Sequence, residues 1–169
     1  MGRDDEDFVR FVEASSARLV RAAYLLTGDR HRAEDAAQAA LVRAYASWSR
    51  VRREDAYAYT RRTMVNQLID GWRRPLREYA TAELPEPPYA EDVAEEVTRR
   101  RWIVQALSGL TARERAVVVL RYFFDLPEEE VADDLRVSVG TVKSTASRAL
   151  AKLRITGAET PEAVVRRAR

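Results

Sequence analysis

Four of the six prolines, Pro75, Pro85, Pro87 and Pro88, fall within one stretch of fourteen residues. Each removes a backbone donor and disfavours helical geometry in the residue before it. From Pro75 to Val97 seven acids stand against one base. Such a segment has little to bury and reads as a flexible linker. It divides the 169-residue chain into a domain over residues 1–74, an acidic linker over 75–97, a second domain over 98–155 and a tail over 156–169.

Each half carries apolar residues at helical spacing. Over residues 4–27, Phe8, Phe11, Ser15, Leu19, Ala22 and Leu26 recur at steps of three and four, with acids at the start and Thr27-Gly28 at the end. Residues 30–48 form a second helix, whose alanines allow close packing while Leu41, Tyr45 and Trp48 fill space. A third spans residues 55–74, with Ala58, Met64, Val65, Leu68, Ile69 and Trp72 inward. Patterning resumes near Val97. Thr111 with Glu114 three residues on forms a capping box before the apolar run Ala116, Val117, Leu120, Tyr122 and Phe123, and Pro127 suits the first turn of the next helix. No alternating strand pattern of useful length occurs. The fold class expected is all-α, two small helical domains joined by the linker.

Composition narrows the chemistry. The chain has no cysteine, which removes disulfides, thiol nucleophiles and thiolate metal sites. Its one histidine, His31, stands at a helix start without metal-ligand spacing, and the pairs Asp4-Asp5 and Glu95-Glu96 read as helix-start charge. No catalytic residue, metal or cofactor is expected. The acidic opening MGRDDEDFVRF lacks the pattern of a signal peptide, and no run approaches a membrane span, which points to the cytoplasm. Net charge is only +2, so a polyanion must be met by a local basic patch.

One such patch lies in EEEVADDLRVSVGTVKSTASRALAKLR, residues 128–154. Five carboxylates and no base fill Glu128 to Asp134; five bases and no acid fill Arg136 to Arg154. Pro127 to Leu135 reads as a short helix, Arg136 to Ser138 as a tight connection and Val139 to Arg154 as a second helix. Val131, Ala132 and Leu135 then face Val142, Ala146, Ala149 and Leu153, the internal packing of a helix-turn-helix. In that motif the start of the second helix meets base edges in the major groove, and Lys143, Ser144, Ser147 and Arg148 share its outward face. The acidic first helix keeps its carboxylates at its own positive end, away from phosphate.

With these motifs in place, the chain resembles the extracytoplasmic-function (group IV) bacterial RNA polymerase sigma factors, of the actinobacterial sigma-E-like type. LTARERAVVVLRYFFDLPEEEVADDLRVSVGTVKSTASRALAKLR follows the order of the family's promoter-binding domain, region 4. AEDAAQAALVRAYASW matches the D-A-x-Q helix of region 2 at Asp35, Ala36 and Gln38, and TRRTMVNQLIDGWRR matches at Asn66, Asp70, Arg73 and Arg74. The resemblance covers nearly the whole chain except the linker and the last fifteen residues.

The resemblance implies a protein that binds core RNA polymerase and directs promoter-specific initiation without being an enzyme. Its polymerase partners would be the clamp helices of the largest subunit and the flap of the second-largest; promoter DNA and an anti-sigma factor complete the expected partners. Asp35, Gln38 and Val42, at steps of three and four on one helix face, would meet the clamp. Arg53, Tyr57, Tyr59, Arg62, Asn66 and Arg73 would meet the minus-ten element, the arginines, with Arg50, Arg52 and Arg61, supplying charge, the tyrosines stacking on unpaired bases and Asn66 bonding a base edge. Core packing is an equal use for the tyrosines. Ser138, Thr141, Lys143, Ser144, Ser147 and Arg148 would meet the minus-thirty-five element.

Three positions depart from the family's pattern. Thr145 stands where arginine is usual after T-V-K-S, which implies a lost or moved DNA contact; Thr111 stands where proline is common; Tyr59 replaces a frequent tryptophan. A stand-alone LuxR-like helix-turn-helix regulator shares the L-T-x-R-E and T-V-K elements but not the N-terminal half, and a helical adaptor without a nucleic-acid role predicts no salt-sensitive DNA contact.

Overall fold

A computed structural model describes residues 3–72 and 102–155, and every regular element among them is helical. The expected linker over 75–97 and tail over 156–169 lie outside the described residues. The first helix, α1, spans Arg3–Thr27 and buries Ser15, Leu19, Ala22 and Leu26. It stops where Gly28 takes a φ of 69° and donates to the Tyr24 carbonyl at 2.8 Å. A Cβ at Gly28 would meet Val104 Cγ1 at 3.1 Å, so backbone angle and close approach both demand glycine.

Asp29 caps α2 (Arg30–Ala46) by accepting from the Arg32 amide at 2.9 Å. Ala33, Ala36, Ala37, Ala40 and Ala44 are its buried face, which lets α1 approach closely. Phe8, Phe11, Tyr45 and Trp48 close one end of this pair, with the rings of Phe8 and Trp48 edge to face at 4.9 Å. A single 3₁₀ turn, Arg53–Asp55, leads into α3, Ala56–Trp72. Met64, Val65 and Leu68 are buried there as the pattern implied, while Ala58 and Ile69 are half-buried.

Residues 102–108 form α4, and α5 spans Ala112–Val118. The expected capping box is present: the Glu114 amide donates to Thr111 Oγ1 at 3.3 Å and the Thr111 amide to Glu114 Oε2 at 2.9 Å. The helix expected through Phe123 does not stay α-helical; it widens into a π turn at Val119–Phe123, closed by the Phe124 amide on the Val119 carbonyl at 3.1 Å. Phe123 and Phe124 are both buried, their rings edge to face at 5.0 Å.

Pro127 stands one residue outside the next helix rather than in its first turn. Its ψ of 159° is extended, and α6 covers Glu128–Leu135. Arg136 turns the chain in a left-handed conformation, φ 54° and ψ 49°. Ser138 then accepts from the Thr141 amide at 3.1 Å as α7, Val139–Ile155, begins. Val142, Thr145, Ala149 and Leu153 are the buried side of α7, packed against α5 and α6. This is the helix-turn-helix read from the sequence.

The two halves share one core. Leu19, Leu26, Met64 and Val65 from the first connect with Ile103, Val117, Phe123, Val131 and Val142 from the second in a single buried cluster. The reason is that residues 116–120 are buried without a break, so this helix is covered on all sides, and part of that cover comes from α1 and α3. Arg115 fastens the join. Its guanidinium donates to the carbonyls of Leu26 at 2.7 Å, Leu107 at 3.0 Å and Leu110 at 3.2 Å, oxygens at or just past the ends of α1 and α4.

Candidate nucleic-acid interface

Asp35, Gln38 and Val42 are all exposed on α2, opposite its buried alanines. Val42 is 61% exposed, far above what a residue of its kind shows in a core, so this strip mixes polar and apolar groups at the surface. Tyr45 lies beside it, exposed and donating to Asp5 Oδ1 at 3.0 Å.

On α7, Lys143, Ser144, Ser147 and Arg148 are all exposed. Ser138, also exposed, and half-buried Thr141 meet through their hydroxyls at 2.9 Å where the helix starts. Lys143 pairs with Glu128 of α6 at 3.5 Å, and Arg148 reaches the Thr145 hydroxyl at 3.4 Å. Thr145 itself is only 2% exposed. The position where the family usually carries arginine therefore packs inward here, which accounts for a short side chain at that point.

The face of α3 assigned to the minus-ten element is engaged elsewhere in the molecule. Arg61 is buried, at 4% side-chain exposure, and its Nε donates to Asp134 Oδ2 at 2.9 Å while its Nη2 reaches Glu130 Oε1 at 2.8 Å. Arg62 Nε donates to the other Asp134 oxygen at 2.9 Å, and the Asn66 side-chain amide donates to the Asp134 carbonyl at 3.0 Å. Asp134 is thereby held by two guanidiniums with its carboxylate fully shielded from solvent. Burial alone would lower the Arg61 pKa, but the hydrogen bonds and charges of Asp134 and Glu130 raise it above its ordinary value. A cleft lined by Asn66, Ile69, Asp70, Arg113, Leu135 and Arg136 opens at the same seam.

The remaining residues of the expected minus-ten set divide. Tyr57 is half-buried against the Phe124 ring at 6.2 Å and beneath the Arg18 guanidinium at 5.8 Å. Its hydroxyl has no hydrogen-bond partner among the described residues, and burial foremost raises its pKa against the pull of Arg18, Arg61 and Arg21. Tyr59 meets the Ser47 hydroxyl at 3.3 Å. Arg53 pairs with Asp7 at 2.5 Å and lies over the Trp48 ring at 5.6 Å. Arg73 lies outside the described residues.

Sequence reasoning passed over Arg61 as an organising residue and Asp134 as its partner. The signal was present: Arg61 falls three and four residues before Met64 and Val65, and Asp134 three after Val131, each a charge on a buried stripe. Such a charge must find an opposite one. Among the described residues no cluster of three or more histidines and acids is placed to hold a metal ion, and no helix is long and apolar enough to cross a membrane.

Comparison with known proteins gives this arrangement its family. Residues 11–78 match the family described as Sigma-70 region 2, and residues 100–153 match Sigma-70, region 4. The RNA polymerase sigma-E factor of Streptomyces coelicolor is 41% identical over 152 residues, covering 88% of this chain and 84% of that protein. The ECF RNA polymerase sigma factor SigW of Bacillus subtilis is 29% identical over 168 residues, covering 89% of each. The solved structure of the sigma factor RpoE with the anti-sigma factor NepR from Bartonella quintana shares the fold at a TM-score of 0.67 and 21% identity, covering 89% of this chain and 96% of that one. The structure of CnrH with the cytosolic domain of CnrY shares it at 0.64 and 22%, covering 88% and 86%.

The chain belongs to the sigma-70 family, in its extracytoplasmic-function group and of the sigma-E-like type. It acts with core RNA polymerase and promoter DNA in promoter-specific transcription initiation.

Proposed function

We propose that this sigma factor divides its work among three helix faces: Asp35, Gln38 and Val42 on α2 for the polymerase clamp helices, the Arg62–Asn66 side of α3, with Tyr57, Tyr59, Arg53 and Arg73, for the melted minus-ten element, and Lys143, Ser144, Ser147 and Arg148, with Ser138 and Thr141, for the minus-thirty-five element. The observation that carries this reading is the exposure of the α2 and α7 sets, each opposite a buried face of its own helix. A side chain can read a partner only from the solvent side. The second domain would contact the flap of the second-largest polymerase subunit, and the residues on all three faces are binding groups rather than catalytic ones. The polymerase performs the chemistry, and the chain works where the polymerase is, in the cytoplasm. An anti-sigma protein is a further partner, supported by the relative crystallised with one.

The test is reconstitution with core polymerase and mapping of transcript starts. A sigma factor copurifies with the core and yields discrete starts sharing two upstream elements. A stand-alone regulator instead binds duplex DNA without polymerase and yields no starts.

A further inference from the structure

We propose that the cleft where α3 meets α5 and α6 is a site for a free nucleotide, a ligand that carries phosphate, ribose and an amino-bearing base. The site goes beyond the promoter contacts assigned above and shares only Asn66 with them.

The cleft has a volume of about 360 Å³, within the range of small-molecule sites, which favour such junctions. Its charged walls are Asp70 of α3, Arg113 in the first turn of α5 and Arg136 just after α6, all three exposed. Two bases and one acid thus face one cleft, yet none of these side chains has an ion-pair partner among the described residues. The guanidiniums around them do have partners: Arg61 and Arg62 hold Asp134, and Arg115 holds three carbonyls. The unspent charge of this seam is concentrated in the cleft.

The backbone at Arg136 adds an independent observation. Its φ of 54° and ψ of 49° are left-handed, a conformation that costs a residue with a Cβ and that glycine takes freely. Helices that end this way carry glycine there most often, then asparagine. The turn gains nothing from an arginine; what the residue adds is a guanidinium at the cleft wall, and strain of this kind concentrates at ligand sites.

Each wall fits one part of a nucleotide. Arg113 and Arg136 offer planar N–H forks to phosphate oxygens. Asp70, an acceptor only when ionised, repels phosphate and suits the ribose hydroxyls. The Asn66 side-chain nitrogen donates to the Asp134 carbonyl at 3.0 Å, which fixes the amide and leaves its carbonyl oxygen to accept from the exocyclic amino group of a base. Uracil has no such group. Ile69 and Leu135 supply the apolar surface against which a base can lie.

The test is isothermal titration of the full-length chain with adenosine diphosphate, expected to bind one-to-one. Arg113→Gln combined with Arg136→Gly should weaken that binding by about tenfold or more, while the urea midpoint stays level or rises because glycine relieves the left-handed turn. Uridine diphosphate and 2′-deoxyadenosine diphosphate should each bind several-fold more weakly than adenosine diphosphate, and Asp70→Ala should erase the second difference. No binding of adenosine diphosphate, or equal affinity in the double variant, overturns the site. Inorganic phosphate that binds as tightly as adenosine diphosphate reduces it to an anion site and overturns the nucleotide assignment. If an oligodeoxyadenylate binds more tightly than adenosine diphosphate and loses as much in the double variant, the nucleotide belongs to a DNA strand; the free ligand is then wrong and the minus-ten reading of α3 is extended rather than lost.

Discussion

Lys152 Nζ reaches both carboxylate oxygens of Glu114, at 2.9 and 2.8 Å. The contact joins the last part of α7 to the capping box of α5, so one carboxylate serves both a helix start and a tertiary tie. Burial would raise the Glu114 pKa, but the hydrogen bonds from Lys152 and Thr111 outweigh it and leave the carboxyl below its ordinary value.

The sign of its pH effect follows. A carboxyl with a depressed folded pKa adds stability above its unfolded pKa and loses it as pH falls through the folded one. Glu114→Gln, which can keep both arms of the capping box but loses the charge facing Lys152, should therefore lower the urea midpoint at neutral pH and flatten its decline on acidification. Urea titrations through and below the carboxylate range check this; parallel declines for the two proteins would assign the acid sensitivity to other groups.

Asp35→Arg combined with Gln38→Ala should weaken holoenzyme assembly by tenfold or more, corresponding to about 1.4 kcal/mol or above, and leave the helical circular dichroism unchanged. Both side chains are exposed and opposite the alanine face, so neither supports the packing of α1 on α2. Polymerase affinity equal to the parent's, with native dichroism, removes α2 from the clamp contact.

Asn66→Ala should reduce promoter melting more than initial polymerase binding, because the base edge it would contact is exposed only when the strands part. A good base contact is worth roughly 1–3 kcal/mol, a tens-fold effect. Permanganate footprints measure it, and normal thymine reactivity in the variant would leave Asn66 with only its bond to the Asp134 carbonyl.

The helices and the turn of the helix-turn-helix were legible because local signals specify them: steps of three and four along α1, the Thr111 capping box, and Ser138 ahead of α7. The shared core was not. Periodicity reports which side of a helix is buried, not which half of the chain buries it. The acids of α6 were read as charge turned away from DNA phosphate, and Glu128 beside Lys143 at 3.5 Å shows how near to the α7 face one of them lies. Asp134 needed a tertiary partner, Arg61, seventy-three residues away in sequence, which no local pattern can specify. The same is true of Thr145, whose inward packing depends on where α5 and α6 lie.

The last prediction separates Lys143 from Arg148. Five residues at about 100° each put them well apart around the helix, so they grip different parts of the groove. Lys143 lies nearer the start of α7, where base edges are reached, and its pairing with Glu128 holds the ammonium beside that end. Lys143→Ala should relax preference at one base pair of the minus-thirty-five element by roughly 1–3 kcal/mol. Arg148, further along the exposed side, is expected at phosphate: Arg148→Ala should weaken binding on all sequences alike and make the salt dependence shallower by about one counterion. Promoter activity of both variants across every single substitution of the upstream element decides between the roles. A uniform loss for Lys143→Ala, or a position-specific one for Arg148→Ala, reverses the assignment.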